Sequence, residues 1–330
     1  MKIITVEEHI SGAPIDRYLA KYSFEDAPYM GAAHGKGRPY EADPQLFGDT
    51  DCCRIEDMDR YGITVQILSC PAKSQLLPKE EAPQIVSETN DFIADTVKKH
   101  PDRYGGFALL PWSNVSAAVK EAQRVKSLGF YGILLSGRAS GDERFLDDKE
   151  YIPVLEACEA LELPIYIHPG APLGSVQRPY YGGLGDEVSA RLSLHGWGWH
   201  NEAGVQILRT ILAGRLDEFP SLQLIAGHWG EMLPFFLSRV DQSMPLAVTG
   251  LKRTVTETFR ENVYVTPSGI FDYPQLKFCI EVLGSDRIIH SVDCPFIGNE
   301  GAVPFIENAP LMEHEKELIA YKNAERLFKI

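Results

Sequence analysis

Short apolar runs recur along the chain at nearly regular intervals, each followed by a longer stretch of helical spacing. Eight stand out: Ile3–Val6, Ile63–Ser69, Tyr104–Pro111, Phe130–Ser136, Leu163–Pro169, Leu222–His228, Val263–Gly269 and Arg287–Asp293. They are nearly continuous in apolar residues rather than alternating, the pattern of parallel strands buried on both faces. Between them, Gln84–Lys99 interleaves charged residues with Ile85, Val86, Phe92, Ile93 and Val97. Val115–Leu128, Ile152–Leu161, Val205–Leu216 and Tyr273–Leu283 have the same helical character. Repeated strand–helix units predict an α/β chain folded as a (β/α)8 TIM barrel, a single domain over 1–330 with no linker between two cores. Two stretches exceed a minimal barrel. Residues 10–50 are rich in Gly, Pro, Tyr and Asp, and residues 170–200 are crowded with Tyr180, Tyr181, Trp197 and Trp199. Both follow strand C-terminal ends, where barrel active sites are built, and so read as long insertions that shape a pocket.

Composition narrows the field. A net charge of −14 argues against a nucleic-acid footprint and means that an anionic ligand needs a local cation. No apolar run approaches the roughly 20 residues of a membrane helix, so no membrane partner is expected. The cysteines at 52, 53, 70, 158, 279 and 294 form no CxxC pair, and acidic residues arrive at position 7 in place of a signal peptide. These read as reduced thiols of a cytoplasmic protein.

The ends of the eight runs carry the candidate chemistry. Along a strand, Glu7 and His9 point to one face and Glu8 to the other. Alone, that is also how a charged strand end meets solvent. Run five, however, ends in His168, run six in His228 and run eight in Asp293, all at the level of the catalytic rim. Each has a bland role of its own, His168 as a satisfied core histidine and Asp293 as a cap. Five residues of metal-ligand type converging on one rim point instead to a divalent-metal site. By parity His290 faces away from this rim, and His195 and His200 lie in the aromatic stretch, where a substrate contact and a structural role are both open.

The motifs Val6-Glu7-Glu8-His9, Ile167-His168-Pro169, Gly227-His228-Trp229-Gly230-Glu231, Thr266-Pro267-Ser268-Gly269, Ser291-Val292-Asp293-Cys294-Pro295-Phe296 and Asn323-Ala324-Glu325-Arg326-Leu327-Phe328 resemble those of the amidohydrolase superfamily. The closer resemblance is to its branch of metal-dependent non-oxidative decarboxylases, which act on acids such as γ-resorcylate and 2,3-dihydroxybenzoate. Residues 10–150 contribute little to it. General amidohydrolases carry His-x-His on strand one, whereas Glu7-Glu8-His9 resembles the hydroxybenzoate decarboxylases. The resemblance implies one divalent ion, Mn2+ or Zn2+, held by Glu7, His9, His168 and Asp293. It implies His228 as the catalytic histidine, Glu231 one helical turn along as its partner, Arg239 near the site and Phe296 lining the ring pocket. Tyr29, Arg178, Tyr180 and Trp199 are further candidate substrate contacts from the two long stretches.

The implied reaction is loss of CO2 from a hydroxylated aromatic or similar planar acid, with Asp293 as the acid that protonates the ring carbon. The alternative is a hydrolase or hydratase, lactone-directed for example, using a metal-bound hydroxide. A barrel retained only as a scaffold is the non-enzymatic reading, and the full set of rim residues argues against it. The expected partners are a small aromatic acid and further copies of the chain, as a dimer or tetramer.

Overall fold

The computed structural model describes residues 1–19, 27–29 and 42–330, so part of the 10–50 stretch lies outside the described residues. Seven parallel strands form one sheet in sequence order: β1 (Ile4–His9), β2 (Val65–Ser69), β3 (Tyr104–Ala108), β4 (Gly132–Ser136), β5 (Ile165–His168), β6 (Leu224–Ala226) and β7 (Val263–Val265). Their residues are almost all buried, as continuous apolar runs require when both faces are covered. Around them lie α1 (Cys53–Tyr61), α2 (Ala82–Lys99), α3 (Val115–Ser127) and α4 (Ile152–Ala160). Next come α5 (Gly174–Tyr181), α6 (Asp186–Ser193) and α7 (Gly198–Leu212), all between β5 and β6, followed by α8 (Leu233–Ser243), α9 (Val255–Asn262) and α10 (Tyr273–Leu283). Shorter helical turns are left unlabelled. One apolar cluster runs from Ile3 to Phe328 through every strand. Among the described residues, no helix is long and apolar enough to cross a membrane.

The eighth run departs from expectation. It forms no ladder and touches its neighbours through two isolated bridges, Val265 with Ile288 and Glu8 with Cys294. Asp293 has φ +70°, outside the extended region, and Pro295 has no N–H to donate. The run still lies between β7 and β1. Ile289 N donates to Val265 O at 3.0 Å and His9 N to Cys294 O at 2.6 Å, which curls the sheet into a TIM-like barrel. The Glu8 carboxylate supplies what the ladder lacks, accepting Val292 N at 3.0 Å and Cys294 N at 3.2 Å. Arg54, fully buried on α1, fastens the same seam. Its guanidinium donates to His9 O, Leu46 O, Cys294 O and Gln66 Oε1.

Two further ends differ from the sequence reading. The run at 222–228 stops being strand at Ala226, so His228 lies beyond β6. Strand β1, in contrast, extends through His9, with a one-residue bulge: Thr5 lies opposite Gln66 but Glu8 opposite Leu68. A bulge bends the strand and re-aims the side chains after it. Here it precedes Glu8, and Glu7 and His9 emerge on the face opposite to Glu8.

Candidate metal centre and histidine–carboxylate pair

Glu7 and His9 on β1, His168 as the last residue of β5, and Asp293 in the closing run bring one ligand atom each to within 4.8 Å of one another. The outer nitrogen of each imidazole is engaged. His168 Nδ1 lies 2.9 Å from Pro169 O, an acceptor only, so Nδ1 carries the hydrogen and Nε2 presents its lone pair inward. His9 Nδ1 lies 2.9 Å from Ser69 Oγ, and its Nε2 faces Asp293 Oδ1 at 3.2 Å. His168 Nε2 is 3.8 Å from Glu7 Oε1. Glu7 Oε2 accepts from Ser268 Oγ, and Ser268 N is in turn fixed by donating to Ser291 Oγ at 2.8 Å.

Glu7 Oε1, His9 Nε2 and Asp293 Oδ1 are buried without a hydrogen-bond partner among the described residues. Orphaned polar atoms of this kind cost about 1–3 kcal/mol each, more when charged. Three of them, converging with a fourth inward lone pair from His168, fit a divalent cation with outer-shell support already built. Burial pushes Glu7 up to about 8, with His228 pulling it back and Asp293 adding to the rise. Burial, and then His9, push His168 down to about 3. A dication reverses the burial logic for both carboxylates.

His228 reaches the mouth by an unusual route. His228, Trp229, Gly230, Glu231 and Met232 all have positive φ, between 47° and 80°. The three-residue spacing of His228 and Glu231 suggests an ordinary helical turn, but the turn is left-handed. Such a conformation costs roughly 1–2 kcal/mol per non-glycine residue and survives only where neighbours impose it. They do so here: His228 N donates to Ser268 Oγ at 2.9 Å, Trp229 N to Thr266 O at 2.8 Å, and Trp229 Nε1 to Ile270 O at 2.8 Å. The turn sets His228 Nδ1 at 2.9 Å from Glu231 Oε1 and aims Nε2 at Asp293 Oδ2, 3.9 Å away. Burial alone would lower the His228 pKa. The charges of Glu231 and Glu7 outweigh it and hold the imidazole well above its ordinary value. Asp293 is held down to about 2, because the His228 and His9 imidazoles beside it overcome the rise that its burial alone would cause.

The sequence model of the amidohydrolase family matches residues 53–330. The chain belongs to the amidohydrolase family. It is 36% identical over 289 residues to a gamma-resorcylate decarboxylase of Polaromonas sp., covering 84% of this chain and 86% of that protein. The crystal structure of a dihydroxybenzoic acid decarboxylase from Polaromonas sp., with bound manganese and the inhibitor 2-nitroresorcinol, superposes with a TM-score of 0.85 at 32% identity. That match covers 99% of this chain and 97% of the other. The 5-carboxyvanillate decarboxylase of Sphingomonas paucimobilis gives a TM-score of 0.89 at 30% identity, covering 100% and 99% of the two chains. These relatives place this amidohydrolase in the decarboxylase branch and favour that chemistry over the hydrolase alternative.

The remaining candidate residues of this amidohydrolase divide. The Phe296 ring stands 5.7 Å from His9 and 5.6 Å from Phe47, on the rim of the cluster. The Tyr29 hydroxyl packs against Gly182, and Trp199 is half-buried with its indole N–H engaged by His200. Arg178 and Tyr180 are not brought to the cluster: both are exposed on α5, Tyr180 by 69%, its ring against Tyr181. Arg239 is exposed on α8 and, among the described residues, makes no hydrogen bond or ion pair to the cluster. The residue that sequence reasoning left undecided is His200, whose Nδ1 lies 2.9 Å from Glu231 Oε2. Ser69 ends the second run and Ser268 belongs to the Thr266–Gly269 motif, but nothing in the sequence assigns either one its role here, and Phe47 carries no local signal at all.

Proposed function

We propose that the chain is a metal-dependent, non-oxidative decarboxylase of a hydroxylated aryl, or similar planar, carboxylic acid. Glu7, His9, His168 and Asp293 hold one divalent ion, Mn2+ or Zn2+. The observation that carries this reading is the division of Asp293 between two neighbours: Oδ1 is 3.2 Å from His9 Nε2 in the ligand cluster, and Oδ2 is 3.9 Å from His228 Nε2. One carboxylate thus joins the ligand set to the histidine–carboxylate pair. When bound, the ion would supply Lewis-acidic positive charge to an anionic substrate.

The protein's own groups then handle protons. The bond from ring carbon to carboxylate breaks, CO2 leaves, and the electron pair stays on the ring carbon, which takes a proton from Asp293. Asp293, a carboxylate beside two imidazoles, must first collect that proton, and His228 Nε2 is the group facing it. Glu231 stabilises the imidazolium that supplies it, and solvent restores the balance, one proton consumed per CO2 released. Phe296 lines the ring, and the 10–50 and 170–200 stretches are read as insertions that shape the rest of the pocket. Exposed Phe235 and Phe236 on α8 support assembly with further copies of the chain.

The test is incubation of the protein, reconstituted with Mn2+ or Zn2+, with a panel of dihydroxybenzoates and methoxylated relatives while CO2 release is followed. Release from at least one acid, lost on stripping the metal, is expected. Silence across the panel with both metals overturns the proposal, and lactone turnover without CO2 selects the hydroxide chemistry instead.

A further inference from the structure

Behind the His228–Glu231 pair stands a second histidine that the decarboxylation scheme above leaves unused. His200 lies in the first turn of α7, its ring 4.3 Å from the His228 ring. Its Nδ1 is 2.9 Å from Glu231 Oε2, while the other oxygen, Oε1, is 2.9 Å from His228 Nδ1. Glu231 is 1% exposed, so its two oxygens are divided between two imidazoles with little room for water. His200 Nε2 meets two groups of opposite demand, the Trp199 indole N–H at 2.9 Å and His195 O at 3.0 Å. The indole is a donor only and the carbonyl an acceptor only, so a single Nε2 satisfies one at a time.

Glu231 decides between them. A carboxylate accepts, so Nδ1 must carry the hydrogen that faces it. A neutral His200 then has a bare Nε2, which is the partner that the Trp199 N–H requires. An Nε2–H would point at the indole N–H and leave that donor unpaired. The entry to α7 leaves little freedom to escape this arrangement, because Gly198 packs so closely that a Cβ there would lie 2.3 Å from Ser193 O. The chain Trp199–His200–Glu231–His228 therefore runs in one direction of donation at its outer end, from the aromatic 170–200 stretch toward the pair.

We infer that His200, with its tautomer set by Trp199, is a positioning residue that holds Glu231 Oε2 so that Oε1 stays on His228 Nδ1 and Nε2 stays aimed at Asp293. This assigns Trp199 to His200 rather than to the ring of a substrate. The ligand atoms of His200, His228 and Glu231 also fall within 4.8 Å of one another, as a second metal would need. Each carboxylate oxygen, however, already faces one imidazole nitrogen at hydrogen-bond distance, which is the pattern of two N–H···O bonds.

The inference rests on the decarboxylase reading for its kinetic arm, and a second arm is independent of it. In the Mn2+ enzyme, His200→Ala should lower kcat by about 10–100-fold, the range typical of losing an outer-shell partner, with KM changed by less than about 3-fold. His200→Asn, whose amide N–H takes the place of Nδ1–H, should recover kcat to within about 3-fold of wild type. Trp199→Phe should fall between them. The metal content should stay at one ion per chain in all three. In parallel, the Zn2+ protein with 15N-labelled histidine should show a hydrogen-bonded Nδ1–H of His228 that shifts or broadens in His200→Ala and returns in His200→Asn. The same spectra report whether each variant is folded.

Equal activity of His200→Asn and His200→Ala, at either level, overturns the inference, because packing alone would then account for the residue. An unmoved His228 Nδ1–H resonance in folded His200→Ala overturns it as well. So do two bound ions in wild type with one lost in His200→Ala. If wild type releases no CO2 from any acid, it is the decarboxylase reading that fails, and the resonance alone decides on His200.

Discussion

The left-handed turn makes a prediction that can be worked through numerically. Gly230 is its middle residue, at φ +80°. A Cβ there would lie 2.9 Å from Pro234 Cδ, 2.9 Å from Pro234 Cγ and 2.9 Å from Val265 Cγ1. A proline ring at the start of α8 and a buried β7 valine cannot swing aside. Gly230→Ala therefore incurs the left-handed cost, about 1 kcal/mol, plus an overpacking cost of about 1–3 kcal/mol, for a total of about 2–4 kcal/mol. Gly250 supplies the control. It has φ +68° and nothing within 4 Å of an added Cβ, so Gly250→Ala should cost only the conformational part, about 1 kcal/mol. Urea unfolding of the three metal-free proteins measures the difference without a contribution from ion binding. Because the same turn carries His228 and Glu231, Gly230→Ala should also lose at least about 10-fold in kcat, as misplacement of a catalytic group does. If Gly230→Ala costs no more than Gly250→Ala, the crowding argument is wrong. If it is destabilised but fully active, the turn does not set the geometry of the pair.

Other expectations are simpler to check. Asp293→Asn should lower CO2 release by about 100-fold or more, since an amide N–H is far too weak an acid to protonate the ring, and stopped assays with the metal content measured alongside will tell. His290 is buried among Phe271 and Phe305, and burial pushes its pKa down to about 4, against a smaller upward pull from the backbone at Ala302. With its folded pKa depressed, it contributes stability above the unfolded value near 6.5, and that contribution is lost as pH falls toward 4, up to about 3 kcal/mol. His290→Phe should accordingly flatten the loss of urea stability between pH 6.5 and 4 relative to wild type, and parallel curves would refute the assignment. Burial holds Cys158, Cys279 and Cys294 up at about 12 and Cys70 well above its ordinary value. A thiol reagent at neutral pH should thus titrate only Cys52 and Cys53 in native protein, and all six thiols in urea.

How far the sequence could be read varies with the range of the interaction that decides each feature. The strands were readable because burial on both faces demands an unbroken apolar run, a local property that Ile133–Leu135 and Ile165–Ile167 display directly. The strand-end residues Glu7, His9 and His168 followed from the same runs. Asp293 lies beside those three, although its segment pairs by isolated bridges rather than as a strand. The handedness of the turn at 227–232 was not readable, because Gly-His-Trp-Gly-Glu suits either hand. Contacts from Ser268, Thr266 and Ile270, some forty residues away, decide it. His200 escaped for the same reason: its approach to Glu231 depends on how α7 packs. Arg54 lies in the region with least family resemblance, yet it is fully buried at the barrel seam, a placement unusual for an unpaired-looking arginine in sequence.

The seam also fixes when the centre can exist. Glu8 grips Cys294 at a separation of 286 positions, and Glu7 and Asp293, their neighbours, are separated equally far along the chain. At about 5–20 residues per second, a ribosome takes roughly 15–60 s to travel that distance. Throughout this interval the first strand has emerged with its buried acids and imidazole uncovered, while the residue that completes the set has not been made. An ion held by the proposed four-residue cluster would therefore be taken up late, coupled to a contact with one of the largest loop-closure costs among the described residues.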